Sequence, residues 1–192
     1  MTKILQLKIS LKKSDPEIWR RILIKEVNTF EDLHETIQVV MDWGDYHLHE
    51  FRIDKTKYIG NQPPPPYSMN KRTFIDERKT KLSEYLDKKG NVINYLYDPG
   101  DNWEHLIKVE EVKDEEKYKY KKKNYPVVID GENAAPPEDV GGIPGYYQML
   151  EAISNSDHPE HEMFDHWLKK DFNPYQFNMI KINEKLHDYL DL

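Results

Sequence analysis

Between Tyr97 and His105 the chain sets two carboxylates, a turn, an indole and an imidazole in one short run: Tyr97-Asp98-Pro99-Gly100-Asp101-Asn102-Trp103-Glu104-His105. Carboxylates and an imidazole within reach of one another can relay a proton, hold a divalent cation or hydrogen-bond a small polar ligand. Asp98-Pro99-Gly100-Asp101 offers Pro where φ is preset and Gly where positive φ is free, which predicts a tight reversal into a strand. On that strand Trp103, His105, Ile107 and Val109 share one face by the two-residue period, and Glu104, Leu106, Lys108 and Glu110 share the other. His105 thus points with the apolar set. A buried imidazole without a hydrogen bond costs about 1–3 kcal/mol, so it needs a partner, and Asp98 and Asp101 are the near candidates.

Other residues extend this set. His47 and His49 lie two apart, so on a strand they share a face, which suits two imidazoles on one metal or two hydrogen-bonded structural histidines. Glu138 and Asp139 are candidate ligands or general acid/base groups, and equally candidate caps for the Gly-rich backbone that follows. The expected pocket comprises His47, His49, Asp98, Asp101, Trp103, His105, Glu138 and Asp139, gathered at one end of a sheet. Its candidate metal ligands are His47, His49, Asp101 and His105. Imidazole and carboxylate without thiolate would favour zinc, manganese or iron over copper(I). Asp15 is expected to cap its turn, and Arg20 and Arg21 to form surface ion pairs. The chain has neither a Gly-x-Ser-x-Gly elbow nor a phosphate-cradling glycine loop.

Positioning these side chains requires a sheet. Leu5, Leu7, Ile9 and Leu11 alternate with polar residues as a half-buried strand, Ser14-Asp15-Pro16 turns the chain, and residues 18–25 return it as a hairpin. Thr29 with Asp32 three residues on resembles a helix cap, and Phe30, Leu33, Ile37, Val40 and Met41 follow at helical spacing to a stop near Trp43-Gly44. A third strand is expected over residues 47–53, a solvated loop at the proline run 63–66, a helical turn at 81–86, and a strand at 92–97. The order predicts an α+β fold: a β-grasp-like mixed sheet with one crossing helix, the first and last strands pairing in the middle. Residues 113–124 read as a charged connector. Residues 125–131 read as a short buried segment, and 134–142 as an irregular Pro/Gly loop. Three helices should then pack on the sheet, striped by Tyr146, Met149, Leu150 and Ile153; by Met163, Phe164, Trp167 and Leu168; and by Tyr175, Met179, Ile182, Leu186 and Leu190. Pro159 and Pro174 would open the second and third, the latter capped by Asn173. Residues 1–112 and 125–192 should pack as one domain.

Several chemically specific runs, taken together, resemble a known family. They are Asp15-Pro16-x-Ile18-Trp19-Arg20-Arg21, Leu33-His34-x-x-Ile37-Gln38, Trp43-x-x-Tyr46-His47-Leu48-His49-x-Phe51, Tyr97-Asp98-x-Gly100-Asp101-x-Trp103-x-His105 and Pro136-Pro137-Glu138-Asp139-x-Gly141-Gly142-x-x-Gly145-Tyr146. In this order they are similar to the signatures of the plasmid pRiA4b ORF-3-like family and span nearly the whole chain. The resemblance implies little about activity, because that family is uncharacterised. Some members are labelled transposon passenger or resolvase-like by genomic association, but no recombinase constellation is present here. The family often carries Arg and Cys just before Pro-Pro-Glu-Asp, where this chain has Asn133 and Ala135.

Composition limits the rest. The chain has 192 residues, enough for a sizeable core, and no cysteine, which removes disulfides, thiolate metal sites and thiol nucleophiles. That usage, with no long apolar run and no secretory leader pattern, predicts a cytoplasmic protein without a membrane partner. Two functional classes remain: a binding or adaptor module for a protein or small-molecule partner, and a metal-assisted hydrolase built on the His, Asp and Glu set. Nucleic acid is disfavoured by a formal net charge of −7, because phosphate neutralisation supplies most non-specific affinity. The expected outcome is no gel shift of duplex DNA at micromolar protein and physiological salt; a salt-sensitive shift would overturn it.

Overall fold

Two long alternating strands, one opening the chain and one leaving the central turn, become neighbours at the middle of the sheet. The computed structural model describes residues 2–64, 72–117, 124–168, 170 and 172–190. The strands are β1 (Lys3–Leu11), β2 (Trp19–Lys25), β3 (His49–Arg52), β4 (Lys57–Gly60), β5 (Thr73–Asp76), β6 (Val92–Tyr97), β7 (Trp103–Asp114) and β8 (Val127–Glu132). The helices are α1 (Phe30–Val40), between β2 and β3, then α2 (Gly142–Ser154), α3 (His161–Trp167) and α4 (Met179–Tyr189). The fold is mixed α+β, with one eight-stranded sheet in the order β5-β4-β3-β6-β7-β1-β2-β8. Every neighbouring pair is antiparallel except β4 and β5. Among the described residues no helix is long and apolar enough to cross a membrane.

The two faces of the sheet differ in chemistry. Leu5, Leu7, Ile9 and Leu11 of β1 and Trp103, His105, Ile107 and Val109 of β7 are all buried on the inner face, as the two-residue period requires. There they join Phe30, Leu33 and Ile37 of α1, Tyr146 and Met149 of α2 and Leu186 of α4 in one core. A bulge between Gln6 and Leu7 absorbs an extra residue of β7 and leaves Glu110 on the outer face. That outer face carries a ladder of opposite charges: Arg21 reaches Glu110 and Asp130 at 2.6 Å each. Further along, Arg52 reaches Glu50 at 2.7 Å and Glu104 at 2.8 Å, and Arg72 reaches Glu50 at 2.6 Å.

Local chemistry fixes the helix that crosses this sheet. Thr29 Oγ1 accepts from the Asp32 amide at 3.1 Å while Asp32 accepts from the Thr29 amide at 2.7 Å, a reciprocal cap of the kind Thr and Asp at this spacing predict. α4 packs on α1 and β8. Its Asn183 side chain accepts from the Val128 amide at 2.8 Å and donates to the Val128 carbonyl at 2.9 Å, covering part of the free edge of β8.

The structure corrects several expectations. Residues 127–132 form a paired edge strand where a short buried segment was expected over 125–131, and β4 and β5, not among the expected elements, extend the sheet beyond β3 on either side of the expected proline loop. The third strand starts at His49, two residues late, because His47 belongs to a turn. Of the proline run, Pro65 and Pro66, with the following Tyr67, lie outside the described residues. In the connector, Lys113 and Asp114 finish β7, residues 115–117 make a 3-10 turn, and 118–123 lie outside the described residues.

The C-terminal helices also differ. The second opens at His161 rather than Pro159, and half of its stripe is core: Phe164 and Leu168 pack against it, whereas Met163 (53% exposed) and Trp167 (47%) face solvent. The third opens at Met179, capped by Asn178. Asn173 instead accepts from the Tyr175 amide at 3.0 Å in a turn before it, which leaves Tyr175 72% exposed.

Trp103 is wholly buried at the start of β7, with its ring 6.0 Å from that of Trp43. Trp103→Ala is expected to cost about 3–5 kcal/mol, the usual penalty for emptying a buried aromatic site. Urea unfolding measures it, and an unchanged midpoint would remove Trp103 as an anchor of the sheet.

Candidate functional site

Three loops meet at one end of the inner face, and short hydrogen bonds hold them together. Tyr97 Oη, at the end of β6, donates to Glu138 Oε1 at 2.5 Å and accepts from the Tyr46 amide at 3.1 Å. The other Glu138 oxygen accepts from the Gly44 amide at 2.7 Å, and Trp43 Nε1 donates to the Pro136 carbonyl at 2.9 Å. Burial and the Glu138 carboxylate both push the Tyr97 phenol up, so it remains a donor.

The turn between β6 and β7 is the third loop. Asp98 (φ 49°) and Asn102 (φ 57°) take the left-handed conformations that Gly100 was expected to supply. Asp and Asn tolerate that region because their short side chains bond the local backbone. Here Asp98 Oδ1 accepts from the Gly100 amide at 2.8 Å, and the Asn102 amide closes the turn on the Asp98 carbonyl at 2.6 Å. Asp101 Oδ2 accepts from the Gly141 amide at 3.0 Å, tying the turn to the start of α2. The approach is close enough that a Cβ at Gly142 (φ 67°) would lie 2.2 Å from the Asp101 carbonyl oxygen, so only glycine fits.

This convergence brings His47, Asp98 and Asp139 together. His47 Nε2 lies 3.0 Å from Asp139 Oδ1 and 3.8 Å from Asp98 Oδ2. The nitrogen is sealed from solvent yet makes no hydrogen bond. One imidazole nitrogen and two carboxylate oxygens therefore fall within 4.8 Å of one another at the mouth of the site.

His49 belongs elsewhere. Its ring stacks on that of His34 with centroids 3.4 Å apart and planes 7° from parallel, and its Nε2 meets the buried Glu77 carboxylate at 2.7 Å. His34 Nε2 meets Asp45 Oδ1 at 2.9 Å and its Nδ1 meets Tyr95 Oη at 2.8 Å. The bonds are mutually consistent when Gln38 donates to Tyr95 Oη at 3.0 Å, Tyr95 donates to His34 Nδ1, and His34 Nε2–H donates to Asp45. Burial pulls the His34 pKa down, and the His34 hydrogen bond holds Asp45 below the usual carboxylate range. A metal bound to imidazole lies in the ring plane, and two parallel rings share no plane, so this cluster is a hydrogen-bonded network rather than an ion site.

His105 finds neither Asp98 nor Asp101. Its Nδ1 bonds the Trp103 carbonyl at 3.1 Å, its Nε2 is buried without a partner, and its ring stands edge-on to Trp43 at 5.4 Å. Of the expected metal ligands, then, His47 alone sits in an ion-ready cluster; Asp101 is spent on a backbone amide, and His49 and His105 are core. Trp103 packs beneath the site. Asp15 caps nothing: the Ser14 hydroxyl accepts from the Ile18 amide at 2.9 Å instead. Arg21 forms its expected ion pairs, but Arg20 is buried with none among the described residues.

Comparison with known proteins agrees with the resemblance read from the motifs. A family model described as plasmid pRiA4b ORF-3-like protein matches residues 3–181. The chain belongs to the plasmid pRiA4b ORF-3-like family. One relative of this pRiA4b ORF-3-like chain is an uncharacterised protein, y4hQ, of Sinorhizobium fredii, 29% identical over 187 residues covering 96% of this chain and 91% of the relative. A crystal structure of a protein of unknown function, MM3350 of Methanosarcina mazei Go1, is similar with a TM-score of 0.80 and 39% identity over 94% of this chain and 98% of that one. None of these names assigns an activity, and a hydrolase is not indicated.

His34, Asp45, Glu77 and the bridging role of Tyr97 were not foreseen as parts of polar clusters. Asp45 and Glu77 sit in no local pattern, but Phe30, His34 and Gln38 at four-residue spacing put two polar groups on the core face of α1, a readable signal.

Burial drops the His105 pKa to about 3 from an ordinary value of 6.5, so the folded protein keeps it neutral where the unfolded chain protonates it. The unfolded state then binds the extra proton below about pH 6.5, and stability falls as pH falls from there towards 3. His34 acts in the same direction. His105→Leu should therefore flatten the acid-side slope of urea stability between pH 6 and pH 4 by up to about 1.4 kcal/mol per pH unit. An unchanged slope would show that His105 takes up no proton on unfolding.

Proposed function

We propose that this pRiA4b ORF-3-like chain is a binding module whose polar pocket, at the end of a β-grasp-like frame, takes a divalent cation through His47, Asp98 and Asp139. The observation that carries this reading is the His47 nitrogen, closed off from solvent between two carboxylates and hydrogen-bonded to neither. Ligand atoms about 3–4 Å apart suit a shared ion with metal–ligand bonds near 2.1 Å. Tyr97 and Glu138 act as the frame, and residues 1–112 and 125–192 work as one packed unit because each supplies part of the pocket. Asp139 is 66% exposed, so the coordination sphere is open on its outer side to a partner protein or small molecule carrying an oxygen donor. An open sphere is also where a metal-assisted hydrolase would place its water, but the further carboxylate of the site, Glu138, is already engaged by the Tyr97 phenol and the Gly44 amide. A cytoplasmic setting, where thiol-free imidazole-carboxylate sites meet zinc or manganese, fits the same chemistry.

The test is to add zinc or manganese to chelator-treated protein and follow unfolding. At a hundredfold excess over Kd the native state should gain about 2.7 kcal/mol, and His47→Ala and Asp98→Asn should lose that gain. Wild-type protein that gains nothing from either ion would overturn the reading.

A further inference from the structure

A second site stands apart from the His47 cluster, on residues that cluster does not use. Arg20 projects from β2 onto the inner face and is 2% exposed, yet among the described residues no carboxylate lies within ion-pair distance of it. Its neighbour Arg21 has two. A buried cation without a counter-charge is expensive, and burial pulls the Arg20 guanidinium down to about 10. Three carbonyls and a ring offset part of the cost: Nε donates to Val40 at 2.9 Å, Nη1 to Trp19 and Glu132 at 2.8 and 2.9 Å, and the guanidinium lies 4.4 Å from the centre of the Phe177 ring. Nη2 takes part in none of these bonds. Arg20 lines a cavity of about 260 Å³ that opens between the end of α1 and the first turn of α4.

The cavity is built for an anion with an apolar body. Its walls include Val40, Ala135, Phe177 and Ile182, and Lys181 stands with Arg20 on its lining. Asp42, its acidic lining residue, is already paired with Lys185. The first turn of α4 carries no acidic residue to oppose the positive end of the helix dipole.

We propose that this cavity binds a small aliphatic carboxylate, one oxygen on Arg20 Nη2 and its carbon chain against Phe177 and Ile182. A single open guanidinium nitrogen suits one carboxylate oxygen, and the apolar walls suit a carbon chain, which inorganic phosphate lacks.

The experiment is titration of the full chain with hexanoate, hexanol and inorganic phosphate, with EDTA present so that no cation at His47 can hold the acid. Calorimetry gives affinity and NMR follows the Arg20 side-chain N–H signals. Hexanoate should bind at about millimolar Kd, within reach of a ligand of that size, and shift the Arg20 signals. Hexanol and phosphate should do neither. Lys181→Glu, a surface change, should weaken hexanoate by about tenfold through repulsion, and Ala135→Leu, which fills the cavity, should abolish binding. Equal binding of hexanol would make the cavity merely apolar and overturn the assignment, as would phosphate binding without hexanoate. Absence of hexanoate binding to folded wild-type protein, or binding unaffected by both variants, would also overturn it.

Discussion

The carboxylate of Glu138 holds the end of the sheet together. One oxygen takes the Tyr97 phenol and the other the Gly44 amide, so a loop near residue 138 is fixed both to β6 and to the turn that leaves α1. Those segments are far apart in the chain, and closing such loops costs entropy that few other contacts here could offset. Charge-assisted hydrogen bonds are about twice as strong as neutral ones, which suits Glu138 for this place. With the Trp43–Pro136 and Asp101–Gly141 bonds, it sets His47, delivered by the turn, facing Asp139, delivered by the loop.

Beneath that end of the sheet the polar groups are handled in two ways. The His34 network is closed, with Tyr95, Gln38 and Asp45 exchanging bonds in a ring around α1. The packing beside it is left open: Trp103 Nε1 and His105 Nε2 are buried with no partner, among stacked and edge-on rings of Trp43, Tyr97 and Tyr95. Buried polar groups are normally satisfied, so these two mark a region where shape was kept at the expense of hydrogen bonding. It lies directly under the loops that form the candidate site.

The sequence reveals periodic features well and isolated ones poorly. Alternation along β7 placed Trp103, His105, Ile107 and Val109 together because each position repeats the same evidence, and Thr29 with Asp32 marked the start of α1 because both halves of that cap are local. β8 escaped notice because its burial alternates over only a few residues beside a proline, and β4 and β5 because each is four residues long. The site was half legible. Its loops were recognised by residue type, but the partners were not, since nothing local separates an Asp that faces an imidazole from one that holds a backbone amide. His47 and His49 diverge because strand alternation starts only at His49. Arg20 and Arg21 look alike in sequence; the two-residue period sends one to each face, and among the described residues only Arg21, on the outer face, has carboxylates within ion-pair reach.

The charge ladder on that outer face carries a consequence for how the sheet can err. A strand shifted by one residue turns every side chain to the opposite face, so a slipped β2 would bury Arg21 and drive Ile22 into water. A two-residue shift keeps the faces but moves Arg21 away from Glu110 and Asp130 when β2 slips, and Arg52 away from Glu104 when β3 slips. Each exposed pair adds little to stability. Their joint worth is as a code that only one alignment satisfies, read across strands that are distant in the chain. The outer face thus proofreads the assembly of the inner one.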